Sequence, residues 1–202
     1  GLTMALGFSG CQSENQKNQD AYRKIGINSM AEGDYDKAVK SFQKALDTSL
    51  GKIGAEEIDI CYYKAAAQFA KKDYNGAIET YTSLIDYDKE NANAYYLRGS
   101  VYLDTDKKDK AFKDYKNAVK YAGREYEIYE GIYENLTNKG ETEEAKNYLK
   151  KALDIKPKDG ADYAEQGHVY YLLEDYTQAK SSLDRAIDKD DKTALLYLAE
   201  VY

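Results

Sequence analysis

Tryptophan is absent from this 202-residue chain, proline and histidine occur once each, and cysteine occurs twice. One proline fits a mostly helical chain, because proline removes a backbone donor and clashes inside a helix. Two cysteines exclude a disulfide-stapled scaffold, and with one histidine they leave no zinc-ligand spacing. Gly-x-Gly-x-x-Gly and phosphate-loop patterns are also missing. The acidic runs DYDKEN (86–91) and DKDDK (188–192) lack the glycine and glutamate of a calcium loop and read as solvated turns. No cofactor and no metal are therefore expected. The formal net charge is −7, with lysine and arginine spread along the chain. A nucleic-acid partner is not expected either, since phosphate binding needs a clustered basic face.

Tyrosine, by contrast, is abundant: 22 residues against four phenylalanines. Each provides aromatic contact area with a polar tip, which suits half-buried positions along grooves. One segment recurs. GDYDKAVKSFQKAL (33–46) is followed by KDYNGAIETYTSLI (72–85), KKDKAFKDYKNAV (107–119), GETEEAKNYLKKAL (140–153) and EDYTQAKSSLDRAI (174–187). Its alanines, Ala38, Ala77, Ala111, Ala145 and Ala179, are spaced by 39, 34, 34 and 34 residues. A second series, Tyr22, Cys61, Tyr95, Tyr129, Tyr163 and Tyr197, keeps the same period. Cys61 falls at a helix core position and reads as a small hydrophobe.

A 34-residue period of helix–turn–helix units resembles the tetratricopeptide family, with its W-x2-L-G-x2-Y, A-x3-F and P signature. The third unit carries Tyr95, Arg98-Gly99, Tyr102, Ala111 and Tyr115; the fifth carries Tyr163, Gln166-Gly167, Tyr170, Ala179 and Leu183. The first matches at Tyr22, Ile25-Gly26, Ala38 and Phe42, and the fourth supplies Pro157. The resemblance implies an all-α fold, a right-handed superhelix or α-solenoid in which each hairpin covers the apolar face of its neighbour. Units are expected at about 19–52, 58–91, 92–125, 126–159 and 160–193, with a sixth beginning at 194–202, all within a repeat domain over 20–202. Two departures stand out. Tyr133 replaces a small residue, which implies wider helix spacing in the fourth unit. Five extra residues in TSLGKIGAEE imply a longer inter-unit loop or a gap in the stack. The last segment, TALLYLAEVY, is apolar nearly all round, so either the natural chain continues or that end self-associates or packs on another molecule.

Residues 1–11 resemble the remnant of a bacterial lipoprotein signal. Ser9-Gly10-Cys11 would make Cys11 the lipidation site, with 12–19 a polar tether. Phe8 departs from the usual leucine, and an incidental cysteine in a disordered end is the alternative reading. A lipid at Cys11 would attach the protein to a bacterial cell membrane on its extracytoplasmic side.

The family's geometry places Arg23, Ile27, Met30, Tyr62, Phe69, Tyr96, Leu103, Glu127, Glu130, Glu134, His168 and Tyr171 along a concave peptide-binding groove. Glu127, Glu130 and Glu134 share one helical stripe and would suit a peptide with basic residues. His168 has no nucleophile or orienting group marked in the sequence, so no enzyme is expected. The implied function is a protein- or peptide-binding scaffold. A small-solute or glycan-binding lipoprotein and a self-associating spacer are the alternatives.

Overall fold

The computed structural model describes residues 13–201, which contain eleven α-helices and no strand. They fall into two compact units that meet in sequence at Asp86 and Tyr87. The first unit is built from α1 (Glu14–Ala31), α2 (Tyr35–Asp47), α3 (Ala55–Ala70) and α4 (Tyr74–Tyr87). The second contains α5 (Ala92–Asp104), α6 (Lys108–Tyr121), α7 (Tyr126–Asn138) and α8 (Thr142–Lys151), which runs into a 3-10 turn at Ala152–Asp154. It continues through α9 (Gly160–Leu172), α10 (Tyr176–Asp188) and α11 (Thr193–Val201). The fold class is an α-solenoid of helix–turn–helix repeats.

Local sequence explains where these helices start and stop. Ser13, Asp34, Asn91, Asp159 and Asp175 each accept a hydrogen bond from the backbone N–H three residues on. This satisfies one of the amides that a helix N-terminus leaves without a partner. At the opposite ends the repeat is written into the backbone. Gly33, Lys72, Asp106, Gly140 and Glu174 all take positive φ values, between 58° and 81°, at the turn within each hairpin. Their spacing of 39, 34, 34 and 34 is that of the alanine series. Three of these five positions tolerate a side chain in the left-handed region, a modest local cost that hairpin packing outweighs.

Packing follows the residue sizes. In the first unit Phe42 is wholly buried among Ala38, Ala45, Ile60 and Ala67. A Cβ added at Gly26 would lie 2.5 Å from the Phe42 ring, so α1 and α2 approach closely only because that position lacks a side chain. In the second unit Tyr115 fills the corresponding space beside Gly99, and the core extends through Ile132, Leu136, Leu149 and Val169. Leu183, Ala186 and Ala194 form a further cluster with Ala164. Arg98 of α5 makes a two-pronged pair with Asp114 of α6, both contacts at 2.7 Å, with Asp114 only 2 % exposed.

Several sequence expectations are refined here. The polar stretch expected as a tether is helical from Glu14 onward. Gln19 is buried there, its amide donating to the Ala45 carbonyl and to Glu57. Polar side chains hid this turn, because its contacts are hydrogen bonds rather than an apolar stripe. The five extra residues lie in the α2–α3 connection (48–54), while α3 still packs on α2, so the first unit has no gap in its stack. Tyr133 sends its hydroxyl to the Leu172 carbonyl of α9 at 3.4 Å, so its bulk is taken up across the next hairpin. Cys61 is half-buried, and burial raises the pKa of its thiol. Cys11 and the signal-like segment lie outside the described residues.

Candidate functional site

The proposed groove residues separate by unit. In the first, Arg23 is engaged, donating to Asp59 at 2.9 and 2.7 Å with its guanidinium over Tyr63. Ile27 and Met30 lie half-buried against the Phe42 core. Tyr62 faces Tyr81 with ring centroids 6.4 Å apart, and Phe69 meets Tyr74 edge-on at 5.6 Å. These rings pack within their own repeat.

The second unit gathers a different set. Glu127, Glu130, Glu134 and Thr137 recur every three or four residues along α7 and so share one face. They line a cavity of about 480 Å³ together with Tyr96 of α5, Tyr133 of α7 and His168 and Leu172 of α9. Gly131 forms part of that wall, and a Cβ there would collide with the Tyr96 hydroxyl. No lysine or arginine is among the described residues lining the cavity. The Thr137 hydroxyl is buried without a hydrogen-bond partner among the described residues. Leu103 does not belong to this surface. It is 3 % exposed in the core with Ala111 and Tyr115, and its expected place along the groove is corrected accordingly. Facing inward, it meets α6 instead of a ligand.

His168 is held by a carboxylate and two aromatic rings. Its Nδ1 lies 2.9 Å from Glu130 Oε1. Its ring is stacked on Tyr197 of α11 at 4.4 Å and on Tyr171 at 6.3 Å. Burial pulls the imidazole pKa down, but the hydrogen bond to Glu130 and the charge of that carboxylate outweigh it, and the net shift is upward. Glu165, one turn before His168, has its carboxyl pushed up to about 7. Burial is the main cause, followed by repulsion from Glu130 and Glu127, with His168 opposing. Burial and the same carboxylates push the Tyr197 hydroxyl up to about 12. A donor atom from each of Glu130, Glu165 and His168 lies within 4.8 Å of the other two.

Of the twelve residues expected along one groove, the structure gathers Tyr96, Glu127, Glu130, Glu134 and His168 at this cavity, with Tyr171 stacked on His168. Glu165 and Tyr197 were not among the expected site residues. The Glu-x-x-His spacing of 165–168 was the available signal for Glu165. Tyr197 was hidden as a packing anchor in the 34-residue series. A smaller cavity of about 250 Å³ in the first unit is lined by Ser13, Gln19, Leu50 and Glu57. There the Glu57 carboxylate is already held by Gln19 and by the Gly54 amide.

Stacked hairpins with a recessed acidic face define a helical-repeat protein of the kind that generally binds other proteins and is typically non-enzymatic. The tetratricopeptide repeat pattern matches residues 20–49, 92–124, 134–159 and 163–192, and a TPR repeat pattern matches 65–106. The chain belongs to the tetratricopeptide repeat family. It is 21% identical over 217 residues to anaphase-promoting complex subunit 3 of Schizosaccharomyces pombe, covering 93% of this chain and 33% of that protein. It is 26% identical over 154 residues to tetratricopeptide repeat protein 13 of Homo sapiens, covering 70% of this chain and 17% of that protein. The chain thus spans a third or less of the curated relatives it matches.

Solved structures share the fold. The MamA protein superposes with a TM-score of 0.53 at 22% identity, covering 88% of this chain and 94% of that one. A thermophilic TPR protein of Thermus thermophilus gives 0.53 at 17%, covering 90% and 97%. PilF of Pseudomonas aeruginosa gives 0.54 at 17%, covering 94% and 92%.

Proposed function

We propose that the chain is a protein-binding scaffold whose α7–α9 cavity receives a lysine- or arginine-bearing segment of its partner. One observation carries this reading: Glu127, Glu130 and Glu134 line a single recess with no lysine or arginine among the described residues of its lining. A cationic side chain entering it would meet carboxylates at close range and could rest on the faces of Tyr96 and Tyr133. Association would be steered electrostatically and weakened by salt. The test is an array of peptides of graded charge probed with the purified chain. Selective retention of cationic peptides, reduced by Tyr96→Ala and by Glu134→Gln, is the expected result. Retention that ignores peptide charge would reject the acidic recess as the site.

Attachment to the extracytoplasmic face of a bacterial membrane through a lipid on Cys11 is part of the same proposal, supported by the Ser9-Gly10-Cys11 sequence. No helix among the described residues is long and apolar enough to cross a membrane. Incorporation of labelled fatty acid into the parent chain, lost in Cys11→Ser, tests this part.

A further inference from the structure

We infer that Glu130, Glu165 and His168 form a site for one divalent transition-metal ion of zinc-like chemistry. Glu165 and His168 are three residues apart on α9 and project from the same face of that helix. A Glu-x-x-His pair facing a glutamate from another helix is an arrangement by which helical proteins hold carboxylate-bound metals. Here the facing glutamate is Glu130 of α7, and the three donor atoms lie within 4.8 Å of one another.

The distances suit such an ion. Nitrogen and oxygen ligands about 2.1 Å from a tetrahedral ion stand about 3.4 Å apart. His168 Nδ1 and Glu130 Oε1 are already 2.9 Å apart, so a small outward swing of Glu130 opens the gap for the ion. An inward turn of the half-buried Glu165 side chain then completes three ligands.

The surroundings are independently suited to a cation. Glu130 and His168 both border the 480 Å³ cavity, which leaves an open side where water can fill the remaining position. Glu127 and Glu134 line the same cavity, and a dication relieves repulsion that no lysine or arginine among the described residues of the lining relieves. Tyr197 and Tyr171 hold the imidazole plane by stacking, fixing the direction of its nitrogens. One imidazole with two carboxylates suits zinc, manganese, cobalt or nickel, and offers too few oxygens for calcium.

His168 is the only histidine in the chain, so its ring nitrogens report this site without ambiguity. The experiment titrates zinc chloride into the full ¹⁵N-labelled chain and follows the imidazole resonances, with cobalt chloride as a visible-absorption probe in parallel. Saturation at one equivalent is expected, with the imidazole signals shifted. Glu165→Gln and His168→Ala are each expected to weaken binding at least about tenfold while helical circular dichroism is kept. A Cys11→Ser, Cys61→Ser chain should bind like the parent. Unmoved imidazole signals at excess zinc, parental affinity in either ligand variant, or loss of binding in the cysteine variant would each overturn the assignment.

Discussion

The imidazole of His168 lies flat on the ring of Tyr197, with centroids 4.4 Å apart and planes 7° from parallel. The two residues come from successive repeats, so α11 supports the side chain that borders the acidic cavity. Removing that support with Tyr197→Ala is expected to cost about 1 kcal/mol of stability through the lost ring contact. The imidazole resonances of His168 should broaden in the variant, and affinity for cationic peptides should fall several-fold. NMR of the labelled chain together with peptide titration checks both effects.

Acidification should stabilise the second unit. The Glu165 carboxyl, pushed up to about 7 from 4.5, keeps its proton in the folded state where the unfolded chain has lost it. The folded state then binds more protons, and stability falls as pH rises from about 4.5 to about 7. His168 acts in the same direction. Its pKa lies above 6.5 in the folded chain, so its contribution is complete below 6.5 and is lost as pH passes the raised value. Thermal midpoints measured in chelator-containing buffer should decline as pH rises from about 4.5 to about 7, the Glu165 window, and further as His168 loses its proton. The Glu165→Gln variant should show a shallower decline.

Arg98 and Asp114 form a buried pair that should respond asymmetrically to mutation. Asp114→Ala leaves a guanidinium without its carboxylate in a largely buried place, and an expected loss of about 3–5 kcal/mol follows. Replacing both residues, with Arg98→Met and Asp114→Leu, should recover much of that loss, since two apolar groups leave no charge uncompensated. Urea unfolding of the parent and these two variants compares them.

In the first unit, Phe42→Ala should cost about 3–5 kcal/mol by opening a cavity. Gly26→Ala should cost about 1–3 kcal/mol by overpacking against the same ring. Hydrogen exchange should show both losses concentrated in residues 13–86, because repeat arrays transmit destabilisation mainly between neighbours.

Much of this fold could be read from spacing alone. Ala38 and Tyr22 begin series of one period, and the turn residues Gly33, Lys72, Asp106, Gly140 and Glu174 repeat it in backbone geometry. Hydrophobic periodicity was silent where polar groups do the packing, as Gln19 does, so the helical stretch from Glu14 to Gln19 was missed. Leu103 falls in the core rather than the groove because position in a repeat gives a helix face only approximately. The site was half visible. The glutamate stripe on α7 follows from helical spacing, but its meeting with Glu165 and Tyr197 depends on contacts between helices that no single stretch encodes.

Electrostatic recognition at the α7–α9 cavity is tested most directly by isothermal titration of one lysine- and arginine-rich peptide, chosen from the array, into two chains in chelator-containing buffer. One is the parent and the other carries Glu127→Gln, Glu130→Gln and Glu134→Gln, with helicity of both verified. The expected result is binding by the parent that weakens steeply with added salt and drops at least about tenfold in the triple variant, in line with the loss of close charge pairs. Equal affinity in the two chains, or affinity insensitive to salt, would contradict recognition by these carboxylates.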